Sequence, residues 1–262
     1  MWETGRMLDL THLDRVRIRR AADIAPAAEA LRAIADGMAD WRVAALPSMT
    51  RCEPMRDAEG RPLASAVFGW EVGGDIWSGV LRRTLDSPLH VACRYESEPF
   101  WCNSEGFRTM APNRLLDRID LGSFERRSLV HAALVVPVHM PFGGIGAVAF
   151  IPRDPRQTDL AAEFATHADT LAAIVRPFIT GYNRVTGDSL SLSTTDSLSR
   201  REVECLKWAA LGKTDVEIGM IMSRSRATVR FHIHNAALKL NAANRNHTVF
   251  RAAQLGYIAM SA

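Results

Sequence analysis

The chain has 262 residues and a formal net charge of +3, and its 47% hydrophobic and 23% charged residues are typical of a soluble globular protein. No apolar stretch of about 18 residues occurs and the N-terminus does not read as a signal peptide, so we expect a cytoplasmic protein without a membrane span. The four cysteines form no CxxC pair and no zinc-spaced cluster, which indicates reduced thiols and predicts neither a metal nor another cofactor.

Residues 1–182 combine helical and strand patterns. Apolar residues recur at helical spacing in 10–40 (two helices), 75–85, 118–129 and 159–182, whereas β-rich runs occupy 41–49, 63–70, 90–94, 132–139 and 146–151. The last two runs flank turn residues 140–144 and predict a hairpin. Strands between flanking helices predict an α+β domain, an α/β/α sandwich with a central antiparallel sheet.

Residues 183–197 have the composition of a linker. They are rich in Ser, Thr, Asp, Asn and Gly and show weak apolar periodicity. We therefore expect a domain at 1–182, a linker at 183–197 and a second domain at 198–262. The second domain has ten basic and four acidic residues, a charge of +6, against 22 basic and 25 acidic residues in the rest. This distribution is typical of a nucleic-acid reader joined to another module.

Residues 198–262 carry the start and stop signals of several helices, which predict an all-α domain. The capping residues are Ser199 with Glu202, Thr214 with Glu217, and Ser225 alone. Gly212 supplies a left-handed residue where the first helix ends. Gly219 is small enough to let another helix cross closely. The polar triplet 223–225 predicts a tight turn before the third helix.

The third of these helices is predicted to enter the major groove of double-stranded DNA, because it follows a tight turn and its outer face is basic. An arginine there can donate two hydrogen bonds to guanine. The predicted DNA-binding residues are Arg226, Arg230, Phe231 and His234 on that face, Ser225 and Thr228 at its start, and Lys213, Thr214 and Lys239 at phosphates. The alternative is a helical bundle whose arginines are merely solvated.

The sequence LSRREVECLKWAALGKTDVEIGMIMSRSRATVRFHIHNAALKL resembles the DNA-binding domain of LuxR-type regulators. Residues at typical family positions are Glu202, Leu206, Gly212, Lys213, Thr214, Glu217, Ile218, Ser225, Thr228, Val229, His232, Asn235, Lys239 and Leu240. The resemblance implies a four-helix domain that reads bases through Arg230 and His234 and dimerises with the help of a last helix at about 244–255. A homodimer implies an inverted-repeat operator. The family has alanine where this chain has Gly219.

The segment LDSPLHVACRYESEPFW resembles the autoinducer-binding domain of quorum-sensing LuxR-type proteins. Asp86 and Trp101 keep the 15-residue spacing of that family, and Pro88 lies near its proline. The resemblance implies that Asp86 accepts a hydrogen bond from the amide of an acyl-homoserine lactone. It also implies that the Trp101 indole donates to the lactone carbonyl.

Three positions depart from that family. Trp77 replaces a tyrosine, Gly73 replaces a tryptophan that stacks over the lactone, and Ala133 replaces a glycine. The predicted ligand-binding residues are Asp86, Trp101, Trp77, Trp70, Gly73 and Ala133. A tryptophan-rich pocket with few polar groups suits a flat or apolar ligand.

The sequence favours a LuxR-type regulator that senses a small apolar or aromatic signal. Two alternatives stay open, an acyl-homoserine lactone receptor and a ligand-independent regulator in which Asp86 and Trp101 satisfy one another or backbone groups. A purely structural DNA-binding protein would show weak sequence preference. An enzyme is the competing class, but no motif orders the acidic and histidine side chains of 1–182, so we predict no catalysis.

Overall fold

The computed structural model of the protein describes residues 10–50, 53–71, 86–187 and 197–259. The chain divides into an N-terminal unit, residues 1–140 and 144–188, and a C-terminal unit, residues 189–262 with 141–143. Among the helices in the described ranges, none combines the length and apolar character needed to cross a membrane.

The N-terminal unit is built on one antiparallel sheet. Its elements are α1 (Leu10–Arg15), α2 (Ile24–Asp36), β1 (Trp41–Leu46), α3 (Leu63–Ala66), α4 (Pro88–Tyr95), β2 (Phe100–Asn103), β3 (Gly106–Thr109), α5 (Phe124–Ser128), β4 (Ala132–His139), β5 (Ile145–Pro152) and α6 (Ala161–Thr186). The strand order is β1-β5-β4-β2-β3 and every pair is antiparallel. The predicted α+β class and the β4–β5 hairpin are confirmed.

Both faces of the sheet are covered by helices. Leu134 and Val136 pack with α2 and α6 in what we call the α6 core, whereas Ala133 and Val135 pack with α4 and α5 in the α4 core. Successive side chains of a strand point to opposite faces, so β4 contributes alternately to the two cores. Burial on both faces explains why β4 and β5 are continuous apolar runs.

Two predicted strands are wrong. Residues 63–70 hold the short helix α3 and a turn at Gly69, whose φ is +71°. Residues 90–94 lie inside α4, where Pro88 occupies the first turn, a position that tolerates proline because its amide would be unsatisfied anyway. Leu89, Ala92 and Cys93 then reach the α4 core at helical spacing.

Other boundaries also move. The β2–β3 hairpin was not predicted, although Gly106, with a φ of +143°, stands at its turn. The helix predicted at 118–129 is only α5, preceded by a 3-10 turn at Leu116–Arg118. Helix α6 continues through Thr186, so the first residues of the predicted linker are helical. The helix predicted at 75–85 lies outside the described residues.

The C-terminal unit contains the four expected helices, α7 (Arg200–Ala210), α8 (Asp215–Met222), α9 (Arg226–Lys239) and α10 (Arg245–Gln254). They enclose two apolar clusters, one holding Leu198, Leu206, Ala236, Leu240, Ala252 and Ile258 and the other Cys205, Ile218, Val229 and Ile233. Burying each large apolar side chain stabilises the fold by about 1.5–3 kcal/mol. This packing fixes which face of α9 is left to solvent.

Buried His90 on α4 should make the N-terminal unit sensitive to acid. The side chain is 1% exposed, and burial, helped by Arg94, lowers its pKa from 6.5 to about 4. Between these two values the unfolded chain binds the proton and the folded chain does not, so stability falls as the pH falls. We expect the free energy of unfolding to decline by up to about 1.4 kcal/mol per pH unit from pH 6.5 towards pH 4 because of this group.

Urea unfolding at several pH values, followed by the fluorescence of buried Trp41 and Trp101, measures this slope. His90→Leu should flatten it, whereas His131→Gln, at an exposed position, should leave it unchanged. Equal slopes in wild type and His90→Leu would contradict the prediction.

Candidate DNA-binding face and ligand site

The three predicted helix caps of the C-terminal unit are confirmed. The Ser199 hydroxyl accepts from the Glu202 amide at 3.3 Å, and the Glu202 carboxylate accepts from the Ser199 amide at 2.7 Å. Thr214 and Glu217 repeat this reciprocal pair at the start of α8. Ser225 accepts from the Thr228 amide at 3.1 Å. Each cap contributes about 1 kcal/mol and sets where its helix begins.

A three-residue turn joins α8 to α9. Ser223 is left-handed with a φ of +54°, and the Arg224 amide donates to the Gly219 carbonyl at 2.8 Å. A Cβ atom on Gly219 would lie 2.7 Å from the Arg224 carbonyl oxygen. Glycine is therefore required at 219 by the backbone of this turn. The sequence analysis had instead expected a crossing helix to be the close neighbour.

Gly219→Ala should displace the turn, because the clash is with backbone. We expect the free energy of unfolding of the C-terminal unit to fall by about 1–2 kcal/mol, the strain outweighing the better helix propensity of alanine. Hydrogen exchange across α8 and α9 in the full chain measures the change. Met220→Ala, next to it and 74% exposed, is the control and should have little effect. Unchanged exchange in Gly219→Ala would show that the turn relaxes freely.

The solvent face of α9 displays together the four residues that were predicted for its outer face. Arg226, Arg230, Phe231 and His234 are all exposed, while Val229 is buried on the opposite face. Positions 226, 230 and 234 are four residues apart and share one side of the helix. Neither Arg226 nor Arg230 forms an ion pair with any residue that the structure describes, so both charges are available to a ligand.

The side chains predicted to contact phosphates form hydrogen bonds or ion pairs within the C-terminal unit. Lys239 Nζ donates to the Glu202 carboxylate at 3.0 Å and to the Ser197 carbonyl at 3.3 Å. Lys213 Nζ lies 3.8 Å from Glu217. Thr214, Ser225 and Thr228 take part in helix capping. Lys239 therefore has a structural role within the unit that the sequence did not reveal.

Arg245 is a structural contact that the sequence analysis missed. It lies at the start of α10 and forms an ion pair with Asp215, at the start of α8, while donating to the Lys213 carbonyl at 2.7 Å. It thus ties two helix N-termini together. No short-range signal marks it, because its partners lie 30 and 32 residues away in the chain.

Two of the predicted ligand residues, Trp101 and Ala133, lie on opposite faces of the sheet. Trp101 on β2 is paired with Leu134 and belongs to the α6 core, whereas Ala133 is paired with Cys102 and belongs to the α4 core. Because the two side chains point to opposite faces of the sheet, one pocket on one face cannot contain both.

Asp86 is exposed two residues before α4, and its backbone carbonyl accepts from Arg127 Nε at 2.8 Å. The Arg108 guanidinium lies 5.9 Å from the ring centre of Trp101. Gly73 and Trp77 lie outside the described residues. In the described ranges, no three His, Cys, Asp or Glu side chains are grouped as metal ligands.

Trp70 occupies a cleft at the β1 edge of the sheet. Its indole N–H donates to the Val43 carbonyl at 2.6 Å, and the Arg42 guanidinium lies 4.7 Å from its ring centre. The cleft has a volume of about 210 Å³ and is also lined by His131 and Arg153. Arg42 was missed, although it is the one charged residue in the strand sequence WRVAAL.

The comparisons with known proteins agree with this geometry. Residues 196–252 match the family model for bacterial regulatory proteins of the luxR family. The chain is 36% identical over 138 residues to the HTH-type quorum sensing-dependent transcriptional regulator VjbR of Brucella ovis, covering 52% of this chain and 51% of that protein. It is 33% identical over 127 residues to the transcriptional activator protein VanR of Vibrio anguillarum, covering 48% and 52%.

These matches span about half the length of each curated relative. A crystal structure of Escherichia coli SdiA aligns with a TM-score of 0.51 and 20% identity over 95% of this chain and 97% of that one, which shows the fold. The predicted resemblance of the C-terminal unit to the luxR family is confirmed.

Proposed function

We propose that the protein is a ligand-responsive transcriptional regulator of the LuxR type. In this proposal the C-terminal unit binds double-stranded DNA, and the N-terminal unit senses a small apolar or aromatic signal. The observation that carries it is the exposed face of α9, where Arg226 and Arg230 stand without ion-pair partners among the described residues. Arginines held in this way on a capped helix after a tight turn suit the major groove.

The match of residues 196–252 to the luxR family supports the DNA-binding half of the proposal. We further propose a homodimer on an inverted repeat, since the symmetry of such an operator mirrors that of the protein. We place it in the cytoplasm, where DNA and reduced thiols are found, and we assign it no catalysis.

The positions of three predicted ligand residues in the N-terminal unit bear on the nature of the signal. The α6 core holds Trp101 and the α4 core holds Ala133, and Asp86 is exposed. This arrangement weakens the case for the lactone grip implied by the resemblance. A lactone receptor is the second candidate, because the Asp86–Trp101 spacing is kept and VjbR is described as quorum sensing-dependent.

Selection from random double-stranded DNA tests the DNA-binding half. We expect the full chain to enrich an inverted repeat and to bind it at least about 10³-fold tighter than unrelated DNA at physiological salt. Equal, salt-governed binding to all sequences would instead indicate a structural DNA-binding role.

Thermal unfolding tests the sensing half, because a ligand that binds only the folded state raises the midpoint by mass action. The panel contains acyl-homoserine lactones of several chain lengths and small aromatic acids and amides. A dose-dependent shift with aromatic compounds alone supports our proposal. A shift with lactones that Asp86→Ala abolishes would establish the lactone receptor, and no shift with any compound would favour a ligand-independent regulator.

A further inference from the structure

We propose that the cleft between Arg42 and Trp70 binds a small ligand that carries a carboxylate on an apolar or aromatic body. The inference rests on the proposed function, because it makes this cleft a sensing site of the N-terminal unit. None of Asp86, Trp101 and Ala133, the described residues singled out by the family resemblance, lines it.

Arg42 carries a charge that none of the residues described by the structure balances with an ion pair. Its Nε atom is buried and has no hydrogen-bond partner, and no described residue forms an ion pair with its guanidinium. A buried polar group without a partner lowers stability by about 1–3 kcal/mol, and more when it is charged. A carboxylate in the cleft would supply the missing acceptor.

The other cations in the cleft already have partners. Arg153 forms an ion pair with Asp40 at 3.0 Å, and His131 lies 3.1 Å from Glu125. The acidic residue of the lining, Asp154, is paired with Arg156 at 2.8 Å. The charge left open to a ligand is therefore positive and belongs to Arg42.

The guanidinium is held before any ligand arrives. It stacks over the Trp70 ring at 4.7 Å, and that ring is fixed by its hydrogen bond to the Val43 carbonyl. A stacked guanidinium keeps its planar row of N–H donors free at the edge, which matches the two oxygens of a carboxylate. Because these N–H donors are already fixed in place, less conformational entropy is lost when the carboxylate binds.

The rest of the lining determines the size and polarity of the part of the ligand that does not carry the carboxylate. Leu129, Val130, Ile151, Pro152 and Pro155 form an apolar wall. The volume of about 210 Å³ exceeds the ~150 Å³ of an engineered cavity that holds benzene. An aromatic ring or a short alkyl chain with one carboxylate fits this space, whereas the whole of a long acyl chain does not.

Isothermal titration of the full chain with benzoate, phenylacetate and hexanoate, each paired with its uncharged amide, tests the proposal. The amide keeps the shape and removes the charge. We expect at least one acid to bind about 10-fold or more tightly than its amide. We expect Arg42→Gln to weaken that acid about 10-fold or more and to leave the amide unchanged. Arg176→Gln, at an exposed arginine of α6 outside the cleft lining, is the matched control and should stay within about 3-fold of wild type.

The thermal midpoint without ligand separates a binding role from a structural one. Because Arg42→Gln removes a charge that has no ion-pair partner among the described residues, its midpoint should equal or exceed that of wild type. Arg42→Lys keeps the charge without the planar fork and should bind the acid with intermediate affinity. A sharp drop of the Arg42→Gln midpoint, with acid binding retained by Arg42→Lys at the wild-type level, would overturn the assignment.

Three further outcomes would overturn it as well. They are equal binding of acids and amides, no acid binding up to about 10 mM, and equal losses in Arg42→Gln and Arg176→Gln. Operator binding by the same samples is measured in parallel. Retained sequence-specific DNA binding with no acid binding would reject this inference alone, whereas loss of that DNA preference in wild type would reject the proposed regulator.

Discussion

Arg230→Ala should lower the affinity of the protein for its selected operator about 5- to 150-fold and leave its affinity for random DNA nearly unchanged. Arg230 is exposed on α9, one turn from Arg226 and from His234, and Val229 beside it anchors the helix in the core. A guanidinium that donates two hydrogen bonds to guanine contributes about 1–3 kcal/mol of discrimination, which gives this range. Fluorescence anisotropy on operator and scrambled duplexes measures both affinities.

The control is Arg200→Ala, which removes the same charge at an exposed position of α7. It should change both affinities equally and only slightly. If Arg230→Ala weakens operator and scrambled DNA to the same extent, with a smaller salt dependence, Arg230 is a phosphate contact.

Glu202→Ala should destabilise the C-terminal unit by about 2–4 kcal/mol. The Glu202 side chain is 5% exposed and accepts hydrogen bonds from the Ser199 amide and from Lys239 Nζ. Its removal leaves the Ser199 amide without its acceptor, although the Ser199 hydroxyl still caps α7. It also leaves a partly buried ammonium without its carboxylate, and breaking such a pair is strongly unfavourable. Hydrogen exchange of peptides from α7 and α9, in the full chain, reports the loss.

Lys239→Met is the matched variant for this pair. It leaves the reciprocal cap between Ser199 and Glu202 intact, so its loss of stability should be smaller. It also tests the predicted phosphate contact. The slope of the logarithm of the DNA-binding constant against the logarithm of the salt concentration reports the number of phosphate contacts. If Lys239→Met reduces the magnitude of this slope by about one, Lys239 contacts a phosphate, whereas an unchanged slope would leave it a structural residue. Equal stability of Glu202→Ala and wild type would contradict the prediction.

Acid should act on the same pair. Burial alone would raise the pKa of Glu202, but the hydrogen bond from the Ser199 amide and the charge of Lys239 outweigh it, so the pKa lies below its usual value. A carboxylate whose pKa falls on folding stabilises the folded state above its unfolded pKa. This contribution should therefore be lost as the pH falls below about 4.5.

The elements that sequence predicted well are those with local signals. Ser199, Thr214 and Ser225 each bond to an amide three residues further along, so both partners of the cap are visible in a short stretch of sequence. The left-handed residue at Gly212 is also confirmed, with a φ of +79°. Such contacts form within one helical turn and need no distant partner.

The errors lie where local signals are ambiguous. A short apolar run such as 90–94 suits a buried strand or a buried helix equally well, and its packing on the sheet decided for the helix. The same holds for 63–70, where the positive φ of Gly69 interrupts the strand.

The sequence by itself therefore determined the α+β and all-α parts and the caps of the helices in the C-terminal unit, because each depends on signals within a few residues. Only the tertiary structure decided which sheet face each strand residue occupies. The pairing of Trp101 with Leu134 and of Ala133 with Cys102 separates two residues that the family pattern had placed together. The tertiary structure also places Arg42 beside Trp70, with no acidic partner among the described residues, since register and long-range packing are set by the whole sheet at once.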